Sequence, residues 1–291
     1  MKLIADSGST KTDWCLLDDT GVMSRMSTQG INPIHQTKDT IREILNKELL
    51  SQLTIHPSCV PSVASDEESG AAFTIHFYGS GVTPIQREPM CQLLHEVFTG
   101  AGEVMAESDL LGAARALCQQ KEGVACILGT GANSCLYDGQ QIVKNTPALG
   151  YILGDEGSGA VLGIRFLNAL YKGALPESLR QEFETQTGLT IAEVINRVYR
   201  QPMANRWLAS LSTFIHSHVD MPEVSTLVTD NFRCFIRRNV LPYGRKDLPL
   251  NAVGSIAWYY REQLSEAAEA EGLVLGTVIQ SPMEGLITFH Y

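Results

Sequence analysis

Long hydrophobic runs are missing from this sequence. Its first apolar run, Met1 to Ala5, ends at Asp6, and no later run approaches the ~18 apolar residues of a membrane-spanning helix. The run is also too short for the apolar core of a secretory signal peptide. The sequence therefore predicts a cytoplasmic protein without a membrane partner.

Positive charge is scarce. The chain has 22 Lys and Arg against 32 Asp and Glu, which gives a net charge of −10, and no basic stripe relieves it. Such a surface repels the phosphate backbone of DNA or RNA. We therefore expect no nucleic-acid partner.

Metal-binding spacings are missing too. The seven cysteines include no CxxC pair, and the seven histidines include no HxxxH pair. Cysteines among apolar neighbours are typical of small buried residues in a reducing compartment, so we expect most of them in the core. A catalytic transition metal is not indicated.

What remains is an ordinary globular composition, with 44% apolar and 19% charged residues. Two segments share one order of predicted elements: a strand, a turn of small residues, a second strand, an Asp/Gly turn and a third strand. Identical residues recur in both segments at a spacing of 120: Thr10 and Thr130, Asp18 and Asp138, Gly30 and Gly150. Strands followed by helices, twice over, predict an α/β protein with two similar sheets.

The length of 291 residues suits two domains or one large one. We place the first domain at residues 1–108 and a larger second domain at residues 109–291. The second contains a mostly helical insertion between Pro176 and Pro242. We allow the residues from about Pro282 onward to return to the first domain.

The segment Asp6-Ser-Gly-Ser-Thr-Lys-Thr-Asp13 lies in a turn between two predicted strands. Small residues let backbone N–H groups approach a phosphate, and the hydroxyls and Lys11 supply further donors. It is not a Walker loop, because GxxxxGK[ST] is absent and a strand follows. The alternative is a hairpin turn of small polar residues without a ligand.

Leu128-Gly-Thr-Gly-Ala-Asn133 is a second turn of this kind. Two phosphate-type turns in equivalent places of a repeated unit suit a nucleotide held between the two domains. The pairing therefore favours a nucleotide site over two unrelated hairpin turns.

Two acidic segments stand at predicted helix starts. Asp109 lies at the entrance to the helix Leu110 to Gln120, where capping the helix is the alternative to a chemical role. Gly154-Asp-Glu-Gly-Ser-Gly159 places adjacent acids between glycines. That pattern fits poorly with a simple core, although a loop that caps the next helix would also explain it.

Five ordered motifs resemble those of the BadF/BadG/BcrA/BcrD ATPase family, and the chain looks most like its N-acetylglucosamine kinase branch. They are DSGSTKTD, the Asp109 segment, ILGTGANS, LGDEGSG and AVGSIA, and they span nearly the whole chain. The resemblance implies an actin-like fold of two duplicated ribonuclease-H-like domains, with ATP and Mg²⁺ in an interdomain nucleotide cleft. It also implies transfer of the γ-phosphoryl group of ATP to a hydroxyl of a small-molecule amino sugar, and it allows a homodimer.

The resemblance implies a role for each matching residue. Asp109 matches the general base, and Asp6 matches the acid that holds Mg²⁺ through water. The residues that match ATP contacts are Ser9, Thr10, Lys11, Thr130, Gly131, Gly254 and Ser255. The residues that match sugar contacts are Asn32, Ala132, Asn133, Gly150 and Asp155.

The sequence departs from the family pattern in two places. Ser7 and Ser9 stand where related loops carry glycines, which bears on how closely phosphates approach. Ala148-Leu149 stands where vertebrate-type relatives carry a glycine and an aromatic residue, which bears on recognition of the acyl group. N-acetylglucosamine, N-acetylmuramic acid and glucosamine therefore all stay open as acceptors.

Two other functions stay open at this stage. An ATPase that activates an electron-transfer partner needs thiolates from each subunit around a bridging iron–sulfur cluster, and no cysteine pair has an obvious spacing for one. A sugar-responsive repressor needs an added helix-turn-helix, but residue 3 already begins the first predicted strand and the net charge is −10. The motifs favour the sugar kinase.

Overall fold

Backbone contacts divide the chain into two units. The computed structural model describes residues 1–8, 10–53 and 73–291. Unit 1 joins Met1–Gln119 to Pro282–Tyr291, and unit 2 is Gln120–Ser281. Within the described ranges, every helix is too short or too polar to span a bilayer.

Unit 1 contains five strands and five α-helices among its described residues. The strands are β1 (Lys2–Ser7), β2 (Lys11–Asp18), β3 (Gly21–Gln29), β4 (Phe73–Gly79) and β5 (Ala101–Ser108). The helices are α1 (Lys38–Ile44), α2 (Leu50–Leu53), α3 (Pro84–Val97), α4 (Asp109–Cys118) and, from the chain end, α14 (Met283–His290). A π-helical turn, Leu45–Leu49, connects α1 to α2.

The sheet of unit 1 has the order β3-β2-β1-β4-β5. β1, β2 and β3 are antiparallel neighbours, whereas β4 and β5 run parallel to β1. Leu3, Ile4 and Ala5 of β1 are all buried, because helices cover both faces of this central strand. The carboxyl ends of β1, β4 and β5 therefore meet at one edge of the sheet.

Unit 2 contains five strands and nine α-helices. The strands are β6 (Gly123–Leu128), β7 (Ala132–Tyr137), β8 (Ile142–Thr146), β9 (Leu250–Val253) and β10 (Leu275–Ile279). The helices are α5 (Gly150–Leu153), α6 (Gly159–Tyr171), α7 (Glu177–Thr187), α8 (Ile191–Tyr199), α9 (Ala204–Ser210), α10 (Ser212–His216), α11 (Pro222–Phe235), α12 (Ser255–Tyr259) and α13 (Arg261–Ala270). A π-helical turn, Ile236–Val240, and a 3-10 turn, Leu241–Tyr243, follow α11.

The sheet of unit 2 repeats the plan of unit 1. Its order is β8-β7-β6-β9-β10, with an antiparallel β6-β7-β8 meander and with β9 and β10 parallel to β6. The prediction of an α/β protein with two similar sheets is confirmed.

The spacing of 120 residues between the two segments has a direct structural counterpart. Asp18 Oδ1 accepts hydrogen bonds from the N–H groups of Thr20 and Gly21. Asp138 Oδ1 accepts them from Gln140 and Gln141. The two aspartates thus close the same turn after the second strand of each sheet.

Helix α14 brings the end of the chain into unit 1. Gly285 lies so close to α4 that a Cβ atom there would stand 2.4 Å from the carbonyl oxygen of Ala116. The Gln119 side-chain amide also donates to the Gly285 carbonyl. Because α4 packs with α14 and with β4, it belongs to unit 1. The boundary therefore falls after residue 119 and not after residue 108, as the sequence predicts.

Candidate active site

The carboxyl edge of the first sheet carries two of the acidic residues that the sequence singled out. Strand register places Ser7, Gly79 and Ser108 side by side at the ends of β1, β4 and β5. Asp6 precedes Ser7 in β1, and Asp109 follows Ser108. The carboxyl ends of parallel strands are the usual place for ligands in α/β sheets.

Asp109 is close enough to Asp6 for its charge to raise the pKa of Asp6. Burial, and after it the negative charges of Asp109 and Asp13, raise the pKa of Asp6 to about 7, against a smaller opposing effect of Lys11. Burial raises the pKa of Asp109 to about 6, although its bond from the Leu110 N–H lowers it. Two half-buried carboxylates with raised pKa values are typical of a functional site.

Asp109 is not the N-cap of α4, which corrects one expectation from the sequence. The cap is Ser108, whose hydroxyl accepts from the Leu111 N–H at 3.2 Å. Asp109 is the first residue of the helix, and its Oδ1 accepts from the Leu110 N–H at 2.8 Å.

The raised pKa of Asp6 leads to a stability prediction. A carboxyl group whose folded pKa lies above its unfolded value of 3.8 contributes stability at low pH that is lost as pH rises through about 7. Asp6→Asn removes this loss, so the variant should unfold at a higher temperature than the wild type at pH 8. The advantage should shrink towards pH 4, as measured by thermal unfolding at four pH values.

Asp18→Asn is the matched control in the same unit. Hydrogen bonds from Thr20 and Gly21 hold the pKa of Asp18 below its usual range, so its charge is favourable in the folded state. This variant should lose stability at pH 8. A higher unfolding temperature than the wild type at pH 8 for both variants, or for neither, would contradict the charge argument for Asp6.

The first phosphate-type turn joins β1 to β2. Its Gly8 N–H donates to the Lys11 carbonyl at 3.0 Å, and Lys11 forms a 2.6 Å ion pair with Asp13. The Thr10 carbonyl accepts from the Gly30 N–H, which ties this turn to the end of β3. Ser9, predicted to contact ATP, lies outside the described residues.

Asn32 lies in a compact turn after β3. Its backbone carbonyl accepts from the N–H groups of His35 and Gln36, and its Oδ1 accepts from the Ile34 N–H. A Cβ atom on Gly81 would stand 2.2 Å from Asn32 Oδ1, so the turn also contacts the loop after β4. The amide nitrogen of Asn32 makes no bond within the described residues and can donate to a ligand.

A third loop of small residues, Gly79-Ser80-Gly81, lies at the end of β4 and is not among the predicted site residues. Strand register puts it between the ends of β1 and β5, and the Ser80 N–H donates to the Ser7 carbonyl at 2.8 Å. Gly81 has a φ of +83°, which suits glycine. The signal was a run of small residues after a strand, the same signal that identified the other two loops.

The second phosphate-type turn follows β6 in unit 2. Gly129 N–H donates to the Gly131 carbonyl at 3.0 Å. Helix α6 begins against this turn, because the Gly159 N–H donates to the Gly129 carbonyl and the Ala160 N–H to the Thr130 carbonyl. The amino end of α6 thereby holds residues 129–131 in place.

Asp155 contacts the same turn. Its carboxylate accepts from the backbone N–H of Ala132, and a Cβ atom on Gly131 would stand 3.0 Å from its Oδ2. Its backbone has a φ of +51°, uncommon for a non-glycine residue. Burial raises the pKa of Asp155 despite the bond from Ala132. The strained backbone thus aims a half-buried carboxylate at the turn.

The neighbouring acid Glu156 points to a different partner. It forms a 2.7 Å ion pair with Arg238, and it also accepts from the Asn239 amide. Of the two adjacent acids that the sequence singled out, Asp155 therefore has the more open carboxylate.

The remaining predicted residues of unit 2 surround the turn on two sides. Gly254 follows β9, with a φ of +122°, and its Cβ position is 2.4 Å from the Leu128 carbonyl oxygen. Ser255 begins α12 directly after it.

Gly150 begins α5, and its carbonyl accepts from the Gly154 N–H beside Asp155. Asn133 Oδ1 instead accepts from the side chain of Asn145.

The predicted residues thus form two sets, one in each unit. Unit 1 groups the acids and the first turn with the Asn32 turn, as follows: Asp6, Thr10, Lys11, Asn32 and Asp109. Unit 2 groups the remaining residues around the second turn: Thr130, Gly131, Ala132, Asn133, Gly150, Asp155, Gly254 and Ser255.

Several solved structures resemble this chain along its whole length. A putative N-acetylglucosamine kinase from Porphyromonas gingivalis is 48% identical, with a TM-score of 0.91 over 100% of this chain and 98% of that one. Another from Chromobacterium violaceum is 18% identical, with a TM-score of 0.70 over 100% and 98%. A ROK family glucokinase from Streptomyces griseus, in complex with glucose and AMPPNP, is 12% identical, with a TM-score of 0.52 over 99% and 97%.

The last two likenesses show the fold alone. The sequence matches no protein-family model and no curated protein. The Porphyromonas gingivalis match is much closer, because nearly half of all residues are identical from end to end. The chain therefore belongs to the same family as that putative N-acetylglucosamine kinase and has the two-domain actin-like sugar-kinase fold.

Proposed function

We propose that this protein is an ATP-dependent kinase that phosphorylates a hydroxyl of N-acetylglucosamine or a related amino sugar, and that it belongs to the BadF/BadG/BcrA/BcrD ATPases. The name of the Porphyromonas gingivalis relative supports this substrate class. The observation that carries the proposal is Asp109, a half-buried carboxylate at the ligand-binding edge of a sugar-kinase fold.

Asp109 is suited to act as the general base. With a pKa of about 6 it is mostly ionised near pH 7, yet it is a stronger base than an ordinary aspartate. In the proposed reaction the sugar oxygen forms a bond to the γ-phosphorus as the bond from that phosphorus to the β-phosphate oxygen breaks. The hydroxyl proton moves to Asp109, and ADP leaves.

Asp6 fits the predicted metal role. Among the described residues, no group of three or more His, Cys, Asp or Glu side chains is placed to hold a metal ion. Mg²⁺ on a nucleotide needs only one or two carboxylates, because phosphates and water complete its shell. A cation beside Asp6 would relieve the repulsion from Asp109 and Asp13 that raises its pKa. When bound, Mg²⁺ neutralises charge on the phosphates.

The two turns supply the proposed ATP contacts. Small residues in both leave backbone N–H groups accessible, and Lys11 adds a charge once it exchanges Asp13 for a phosphate. Thr10 and Lys11 serve the first turn, and Thr130 and Gly131 serve the second. The segment Gly254-Ser255 receives the adenosine part in this proposal.

Each unit has residues that we propose as sugar contacts. Asn32 offers its amide nitrogen, and Asp155 offers a carboxylate that can accept from ring hydroxyls. The Ala132 N–H donates to the Asp155 carboxylate, and Asn133 follows Ala132 in the chain. The Gly150 carbonyl accepts from the N–H of Gly154, the residue before Asp155. N-acetylmuramic acid and glucosamine are the other candidate acceptors.

The test is ATP consumption by the pure protein with Mg²⁺ against a panel of sugars. We expect turnover to depend on one amino sugar, with a phosphorylated sugar as the product, and to stop when Mg²⁺ is chelated. Phosphate release without sugar is the control. Equal ATP hydrolysis with and without every sugar would contradict a kinase.

The same measurement separates the kinase from the iron–sulfur alternative. A bridging cluster needs accessible thiolates, whereas Cys15, Cys118, Cys126 and Cys135 are buried. Cys91 and Cys234 are partly exposed, and they lie in different units. A protein that carries iron and hydrolyses ATP without sugar would support that alternative instead.

A further inference from the structure

A buried hydroxyl connects the first phosphate-type turn to the Asn32 turn. Ser7 is fully buried at the end of β1. Its Oγ lies 3.0 Å from the Ile31 nitrogen and 2.9 Å from the Ile31 carbonyl oxygen. It is also 2.7 Å from Oγ1 of Thr12, another fully buried residue. A side chain of two heavy atoms thus holds both backbone polar groups of Ile31.

The donors and acceptors of this group balance. The Ile31 N–H donates to Ser7 Oγ, and the Ser7 O–H donates to the Ile31 carbonyl. The Thr12 hydroxyl donates to Ser7 Oγ or to the Gln29 carbonyl at 3.1 Å. Removal of the Ser7 hydroxyl would leave a buried N–H and a buried carbonyl without these partners, which is costly in a site away from water.

The two turns that Ser7 joins have different proposed ligands. Asp6 directly precedes Ser7 and is the residue proposed to hold Mg²⁺. Asn32 directly follows Ile31 and is proposed to contact the sugar. We propose that Ser7 is a positioning residue, which couples residues 6–13 to residues 30–36 and so sets the distance between the phosphate-binding and sugar-binding groups.

The internal bonds of residues 30–36 support this role. Asn32, through its carbonyl and its Oδ1, holds Ile34, His35 and Gln36. The turn is therefore a compact body, and its backbone is tied to the first turn by the bonds of Ile31 to Ser7 and of Gly30 to Thr10. Loss of the first tie lets this body shift without unfolding, which would move Asn32 relative to Asp6.

The expected effect of Ser7 on sugar kinetics rests on the proposed function, whereas its expected effect on the backbone of residues 30–36 does not. The test compares Ser7→Ala with Thr28→Val. Thr28 is also buried, and its hydroxyl accepts from the Trp14 indole at 3.0 Å within the same unit. Both variants lose a buried hydroxyl, but Thr28 makes no bond to Ile31 or to residues 30–36.

The structural measurement is hydrogen exchange of the peptide covering residues 30–36. We expect about tenfold faster exchange in Ser7→Ala than in the wild type, and little change in Thr28→Val. The reason is that loss of one buried hydrogen bond raises the population of the open, exchange-competent state about tenfold. Equal exchange of this peptide in both variants would overturn the inference. Should Ser7→Ala not fold, Ser7→Gly, which leaves room for water, takes its place.

The kinetic measurement uses the best sugar from the panel. In Ser7→Ala we expect the sugar KM to rise about tenfold, while the ATP KM changes less than about twofold. A sugar KM that moves no more than in Thr28→Val would overturn the coupling role. A wild-type protein without sugar-dependent turnover would instead contradict the proposed function, and the exchange result would still decide the structural part.

Discussion

Asp109→Asn should lower kcat for the best sugar by about 10²- to 10⁴-fold, the usual contribution of a general base. The amide has the size of the carboxylate and keeps an oxygen that can accept from the Leu110 N–H. It cannot take the proton of the sugar hydroxyl. Because a buried charge is removed, the thermal midpoint should stay the same or rise at pH 8. The measurements are kcat, the thermal midpoint and the ATP dissociation constant.

Ser108→Ala is the matched control for this prediction. It removes the side chain that caps α4 and should cost about 1 kcal/mol of stability. Its kcat should fall far less than that of Asp109→Asn. A variant Asp109→Asn with near wild-type kcat would show that the base is another residue, with Asp155 as the next candidate.

Gly254→Ala should destabilise the protein by about 3 kcal/mol or more. With φ at +122° and ψ at +162°, the residue lies in a region of backbone conformations that is essentially restricted to glycine. A Cβ atom would also stand 2.4 Å from the Leu128 carbonyl oxygen, a backbone atom that cannot move alone. Since Leu128 precedes the second turn, the ATP KM should rise as well. Denaturant unfolding and ATP kinetics check both effects.

Gly21→Ala separates the two causes. Gly21 also has a positive φ, +134°, but nothing lies within 4 Å of its Cβ position. It should therefore lose less stability than Gly254→Ala and leave the ATP KM unchanged. Equal losses in the two variants would mean that the close approach to Leu128 contributes little.

The repeated order of strands and turns could be predicted because short sequence patterns determine each turn locally. Asp18 and Asp138 each close a turn through their own side chains, so their spacing survives in the sequence whatever surrounds them. The second turn was identified for the same reason, since small residues between two apolar strands determine its backbone. Such features depend on neighbours in sequence.

Features that depend on strand register were not predictable in the same way. The Gly79-Ser80-Gly81 loop matters because β4 lies between β1 and β5, which no local pattern states. The cap of α4 fell to Ser108 rather than Asp109, since either residue type caps a helix and the choice depends on where β5 ends. The hydroxyl of Ser7 likewise reaches the backbone of Ile31 only because β1 pairs with β2 and β2 pairs with β3.

The position of α14 affects the order in which the chain can fold during synthesis. Unit 2 is one continuous segment, Gln120–Ser281, so all of its core residues have been translated before α14 leaves the ribosome. Unit 1 begins with the first residue but needs Met283–His290 to cover α4. The half of the protein that is synthesised first is therefore the half that is completed last, and until then the surface of α4 that receives α14 stays uncovered.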